Sequence, residues 1–100
     1  MTRFKIIVTD KALTDLQELR DAIMFCFRAP LSAKRYIAGL NVKMQWLANS
    51  ADYFPIVPEL SYQYGMEIRR LNYKKMTILY TIEKKNVFVL RIIPQSMVIY

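Results

Sequence analysis

One hundred residues with 54% hydrophobic content make one domain, residues 1–100, whose core needs no disulfide or metal staple. The net charge of +7 points to a polyanionic or acidic partner, while the absence of histidine and the single Cys26 leave no zinc site and remove the commonest general base. Gly39 and Gly65 are the only glycines, which excludes a glycine-rich phosphate loop, so any catalysis rests on Lys, Arg, Tyr, Glu or Asp, with no cofactor and no metal.

The first element expected is a strand, because Phe4, Ile6 and Val8 alternate with Arg3, Lys5 and Ile7. Nothing before it has the apolar core of a signal peptide. Asp10, or Thr9 before it, can cap a helix in which Leu13, Leu16, Leu19, Ile23 and Phe27 form one buried stripe, with Asp15, Glu18 and Asp21 turned outward. Pro30 is expected to end that helix. Residues 22–27 are the longest apolar run, far short of the roughly 20 residues of a membrane span. Cys26 lies in that run and reads as a small buried hydrophobe, in keeping with a reducing, cytoplasmic location.

Ser32 is a natural cap for a second helix, with Tyr36, Ile37, Leu40, Met44 and Leu47 at helical spacing. The short connection between the helices implies an antiparallel pair whose apolar stripes a sheet must cover. Trp46 is expected to seal the edge of that packing rather than bind a ligand. Periodicity is lost over residues 49–64, which read as a long loop whose aromatics, Tyr53, Phe54, Tyr62 and Tyr64, can pack over the core or stack on bases, packing being favoured. Gly65 then turns the chain.

Residues 66–71, 76–82 and 87–93 are rich in β-branched and aromatic side chains and read as three strands. The polar breaks between them are too short for a crossover helix, so the strands form an antiparallel meander. Neither break carries Asn-Gly or Asp-Gly, which favours loops of three to five residues. Strict alternation places Met76, Ile78, Tyr80 and Ile82 on one face of the third strand, and Arg91 with Val87, Val89 and Ile93 on one face of the fourth. An arginine on so apolar a strand needs an anion: a ligand, or a structural partner such as Glu67 or another carboxylate at the sheet edge. Across the meander Arg69, Arg70, Lys74, Lys75, Lys84, Lys85 and Arg91 stand against only Glu67 and Glu83, seven charges against two, so most of the net charge sits here. Lys84 and Lys85 read as ordinary solvated turn residues, whereas the cations over residues 69–75 lack local compensation.

The order strand, helix, helix, strand, strand, strand, with Gly-Met-Glu-Ile-Arg-Arg-Leu, Met-Thr-Ile-Leu-Tyr-Thr-Ile and Val-Phe-Val-Leu-Arg-Ile-Ile, resembles the RelE/ParE superfamily of bacterial toxins over the whole chain. Tyr80 stands as the family's Tyr-x-Ile, and Arg91 as the late arginine of its apolar last strand. The resemblance implies an α+β domain, β-α-α-β-β-β, with two helices packed on one face of a mainly antiparallel four-stranded sheet. It also implies the toxin of a type II toxin–antitoxin pair, held inactive by an acidic antitoxin that strand addition or a groove can accept. Killing in the superfamily takes two forms, and the basic meander together with Tyr100 puts RelE-like cleavage of mRNA on the ribosome first here, with ParE-like inhibition of DNA gyrase as the alternative. A degenerate member would only bind its antitoxin.

For the RelE-like form, the resemblance implies Arg69, Arg70, Arg91 and Tyr100 as catalytic candidates and Lys74, Lys75, Gln95 and Ser96 as RNA-binding ones. The 2′-hydroxyl attack needs a proton acceptor and cations around the phosphate, which these residue types can supply. Adjacent strand residues face opposite sides, so Arg69 and Arg70 cannot both join one flat site. Three residues before Tyr80, where RelE-like nucleases carry an arginine, this chain has Thr77.

Overall fold

The computed structural model describes residues 3–26 and 28–98. The chain runs β1 (Lys5–Val8), α1 (Asp10–Asp21), a π-helical turn (Ala22–Cys26), α2 (Pro30–Gln45), α3 (Leu47–Ser50), α4 (Pro58–Tyr64), β2 (Arg69–Tyr73), β3 (Met76–Glu83), β4 (Asn86–Pro94) and a 3-10 turn (Gln95–Met97). The sheet order is β1-β4-β3-β2, with β1 parallel to β4 and the two hairpins antiparallel. This is the α+β architecture expected. Among the described residues no helix is long and apolar enough to cross a membrane, and no group of side chains is suited to hold a metal.

Thr9 caps α1 with its hydroxyl, which accepts from the Ala12 amide and donates to the Val89 carbonyl, joining the helix start to the middle of β4. The second helix begins differently from expectation. Pro30 starts α2 instead of ending α1, and Ala29, not Ser32, is the capping residue, with no side-chain cap bond. Proline suits the first helical turn because its missing N–H would have no helical partner there. The helices cover one face of the sheet, where Ala12, Leu40, Met44 and Leu47 pack on Ile78, Tyr80, Val87, Val89 and Ile92.

Residues 49–64 are not a structureless loop. Leu47–Ser50 and Pro58–Tyr64 are short helices, the second ended by Gly65 at φ 70°. Too short to show a clear period, α4 is held by its tertiary partners: Val57 and Leu60 pack with Ile68 and Leu79. Leu79 lies between Ile78 and Tyr80 on β3, so this second cluster covers the opposite face of the sheet. The aromatics of the segment divide. Phe54 packs against the main core, whereas Tyr53 is 82% and Tyr62 91% exposed. Trp46 is half exposed at the break after α2, with the Lys43 ammonium 3.7 Å from its ring centre.

Both hairpins are tighter than their composition suggests. Only Lys74 and Lys75 separate β2 from β3, and only Lys84 and Lys85 separate β3 from β4. Lys74 (φ 51°) and Lys84 (φ 58°) take the left-handed conformation that glycine or asparagine usually supplies. That costs a lysine about 1–2 kcal/mol, offset at Lys74 by the anchoring described below. A further departure lies in β4. Leu79 pairs with Arg91 but Tyr80 with Val89, so Leu90 is an extra residue that breaks the alternation. The bulge takes Arg91 out of line with Val87 and Val89 and sends Ile93 to the second cluster.

Candidate functional site

Three groups of polar side chains stand out, each positioned by a different pair of elements. The first lies where β1 stops. Pairing of β1 with β4 ends at Val8 and Val89, which leaves the next inward amide of β4, that of Ile92, without a strand partner. Asp15 of α1 fills the gap. Its carboxylate accepts from the Ile92 amide at 3.0 Å, from Arg91 Nε at 2.8 Å and from Arg91 Nη2 at 3.2 Å. Asp15 is thus inward, 5% exposed, and not on the outer face of α1. Because Ala12, Asp15, Leu16 and Leu19 share one helical face, the buried stripe is rotated from the expected one, and Leu13 is left exposed. The Asp15 hydrogen bonds raise the Arg91 pKa above its ordinary value, with Tyr64 and Glu18 adding to the effect. Beside the pair lies an open, mostly apolar cavity of about 270 Å³, lined by Glu18, Leu19, Met76, Ile93 and Met97 among others. Arg91 therefore has its acidic partner on a helix, not in Glu67.

The second group tethers the outer edge of β2. Arg69 donates to the carbonyls of Phe54 (2.6 Å) and Asp52 (3.2 Å), and the Arg70 amide donates to the Pro55 carbonyl at 3.4 Å. These bonds fasten the segment between α3 and α4 along an edge that would otherwise accept another strand. Tyr80, opposite Arg69 in the ladder, is fully buried and donates to the Ala51 carbonyl at 2.6 Å. Burial pushes its pKa far above the ordinary tyrosine value, against a smaller opposing pull from Arg69. Arg3 grips Asp52 at 2.6 Å, which holds that carboxyl below its usual range.

The third group surrounds the β2–β3 turn. Gln95 donates through its side-chain amide to the Lys74 carbonyl (2.7 Å) and through its backbone amide to the Lys75 carbonyl (2.8 Å). Tyr73 lies against Gly39 of α2, where a Cβ would overlap the tyrosine hydroxyl. Tyr36, also on α2, meets the Tyr73 ring edge-on at 5.3 Å, and its hydroxyl takes a backbone hydrogen bond from Lys75. Burial still leaves the Tyr36 pKa raised. The Lys74 ammonium stands 5.2 Å and 5.4 Å from the two ring centres. Lys74, Lys75, Pro94, Gln95 and Ser96 line a shallow depression of about 360 Å³.

The four RNA-binding candidates, Lys74, Lys75, Gln95 and Ser96, are thus brought together. The catalytic candidates are only partly gathered, Arg70 and Arg91 sharing one face of the sheet across Leu79. Arg69 lies opposite Tyr80 and Arg70 opposite Leu79, hence on opposite faces of β2, while Arg91 is two strands from Arg70, about 10 Å at ordinary strand spacing, with Leu79 between them. Arg70 Nε donates to Asn72 at 3.2 Å. Tyr100 and Phe27 lie outside the described residues, as does the side chain of Cys26. Thr77 is completely buried, so the position where RelE-like nucleases carry an arginine belongs here to the interior. Sequence reasoning missed Asp15 and Tyr36. The signal for Asp15 was present, since it sits three residues after Ala12 and four before Leu19 on a face that demands burial.

Comparison with known proteins agrees with this architecture. A solved structure described as the chromosomal ParDE TA system from P. aeruginosa superposes with a TM-score of 0.75 at 18% identity, covering 92% of this chain and 96% of that one. No curated protein sequence matches significantly. The sequence model of one family, described as the ParE toxin of the type II toxin–antitoxin system parDE, matches residues 6–99. Spanning nearly the whole chain, that match makes this protein a member of the ParE toxin family within the RelE/ParE superfamily.

Proposed function

We propose that this protein arrests growth by inhibiting DNA gyrase, as the toxin of a ParDE-type pair, and that an acidic antitoxin neutralises it. The observation that carries the reading is the engagement of the arginines a nuclease would need. Arg91 is held by a buried carboxylate, Arg69 by two backbone carbonyls, and Thr77 stands buried at the third position. Cations committed in this way are poor candidates to gather around a pentacovalent phosphate, which calls for donors aimed at one point. Inhibition by binding asks only for a stable, shaped surface. The charge of +7 and the membership in the ParE toxin family support both the antitoxin and the target.

The test is to add the purified protein to gyrase, relaxed plasmid and ATP, and in parallel to a reconstituted translation reaction whose mRNA 5′ ends are mapped. Loss of supercoiling with intact mRNA is the expected result. Unimpaired supercoiling with new ends appearing only in the presence of ribosomes would overturn the reading. It would instead support ribosome-dependent cleavage, the alternative favoured by the gathering of Lys74, Lys75, Gln95 and Ser96 around one depression.

A further inference from the structure

The two lysine hairpins are alike in sequence and backbone and unlike in setting. Lys84–Lys85 protrudes beside Glu83, tied to the body by the Lys5 amide donating to the Lys85 carbonyl. Lys74–Lys75 is anchored on two sides, by Gln95 from the 3-10 turn and by Tyr36 and Tyr73 over α2. None of the ion pairs among the described residues uses Lys74 or Lys75. An ammonium held against two rings has already lost much of its rotamer freedom, so less is lost when it meets an anion. Ser96 adds a hydroxyl at the rim of the same depression.

From this setting we infer that the β2–β3 turn binds the phosphodiester backbone of duplex DNA, with Lys74 and Lys75 each neutralising a phosphate. Duplex DNA is favoured over single-stranded RNA by what the site lacks. Recognition of single strands depends on ring faces on which bases stack. Here Tyr36 and Tyr73 pack against each other, and Lys74 stands close to both rings. What is offered is charge on a turn whose backbone is anchored, with the Lys74 ammonium also held by the rings, the means by which proteins hold a duplex backbone. The inference rests on the gyrase reading for its biological setting, because gyrase presents duplex DNA to whatever inhibits it.

Binding of a fluorescent 20-base-pair duplex is measured by anisotropy over a range of salt concentrations, for the wild type, K74Q/K75Q and K84Q/K85Q. The two variants lose the same charge from equivalent turns, so only position distinguishes them. Each phosphate contact contributes about −0.9 to the slope of log K against log salt. K74Q/K75Q is therefore expected to flatten the slope by about 1.8 and to weaken binding more than tenfold at low salt, with K84Q/K85Q within about twofold of wild type. Equal losses in the two variants, or none in K74Q/K75Q, would overturn the inference. So would tighter binding of a single-stranded RNA of equal length through the same two lysines. No gyrase is present, so a failure of the gyrase reading would leave this result standing. Conversely, full gyrase inhibition by a K74Q/K75Q protein that binds DNA like wild type would defeat the inference and spare the reading.

Discussion

Replacing Asp15 with alanine removes three acceptor contacts at once, and the structure sets how much that costs. The Asp15 side chain is 3% exposed, whereas that of Arg91 is 30% exposed and can turn partly to water once its partner is gone. The ion pair is accordingly screened and contributes about 1 kcal/mol. The Ile92 amide has no such escape, and a buried donor left unpaired costs about 1–3 kcal/mol. The sum is about 2–4 kcal/mol, which for a domain of this size lowers Tm by on the order of 10–20 °C. Asp15→Asn keeps one acceptor for the amide and costs about 1–2 kcal/mol. Arg91→Met strands the buried carboxylate without its counter-ion, at about 3 kcal/mol. Urea unfolding followed by circular dichroism gives each value, and the Asp15→Asn/Arg91→Met double variant closes the cycle. A coupling energy of at least about 1 kcal/mol is expected. Additivity of the two single changes, or an Asp15→Ala protein as stable as wild type, would refute the assignment of Asp15 as the joint between α1 and the end of β4.

Tyr80→Phe leaves the Ala51 carbonyl without its donor and should cost about 1–2 kcal/mol in the same assay; a neutral result would show that the bond contributes nothing. The raised folded pKa of Tyr80 has a definite sign: its contribution is complete below the unfolded tyrosine value of about 10 and is lost as pH climbs past it toward the folded one. Tyrosinate absorbance should therefore lag for Tyr80, and also for the raised Tyr36, until alkali unfolds the chain; ionisation of these two at the ordinary tyrosine value in folded protein would contradict this. Gly39→Ala should destabilise the wild type by displacing Tyr73, yet stabilise a Tyr73→Ala background by up to about 1 kcal/mol through helix propensity. The same sign in both backgrounds would show that Tyr73 does not press on α2. Thr77 Oγ1 is buried without a partner among the described residues, so Thr77→Val should be neutral or stabilising by about 1 kcal/mol, and a clear loss of stability would reveal a role for that hydroxyl.

Much of the site's raw material was legible because its signals are local. The anion required by Arg91 followed from finding a cation on an apolar strand, and Gly65 as a turn from its freedom at positive φ, although the helix it ends was not foreseen. Residue type narrowed the cap of α1 to Asp10 or Thr9, and the backbone at the end of β1 selects Thr9. What escaped were decisions between near-equal local choices. Pro30 serves a helix start as well as a helix end, and the flanking chain decides. A helix as short as α4 has too few turns to show a period, and it exists because Leu79 and Ile68 need cover. Strict alternation failed at Leu90, where one extra residue re-aims the rest of β4.

By itself, the sequence determined the α+β class, the order of the main strands and helices, the basic character of the meander and the superfamily, since each depends on residue type and short-range spacing. Tertiary structure alone decided which cations are committed and which remain presented. Whether an arginine meets a carboxylate 76 positions away, as Arg91 meets Asp15, depends on where β1 stops and how α1 is rotated. Whether a lysine pair is a plain solvated turn or an anchored one depends on what packs beneath it. Residue type sets the charge, but the neighbours folding brings within hydrogen-bond reach set its availability.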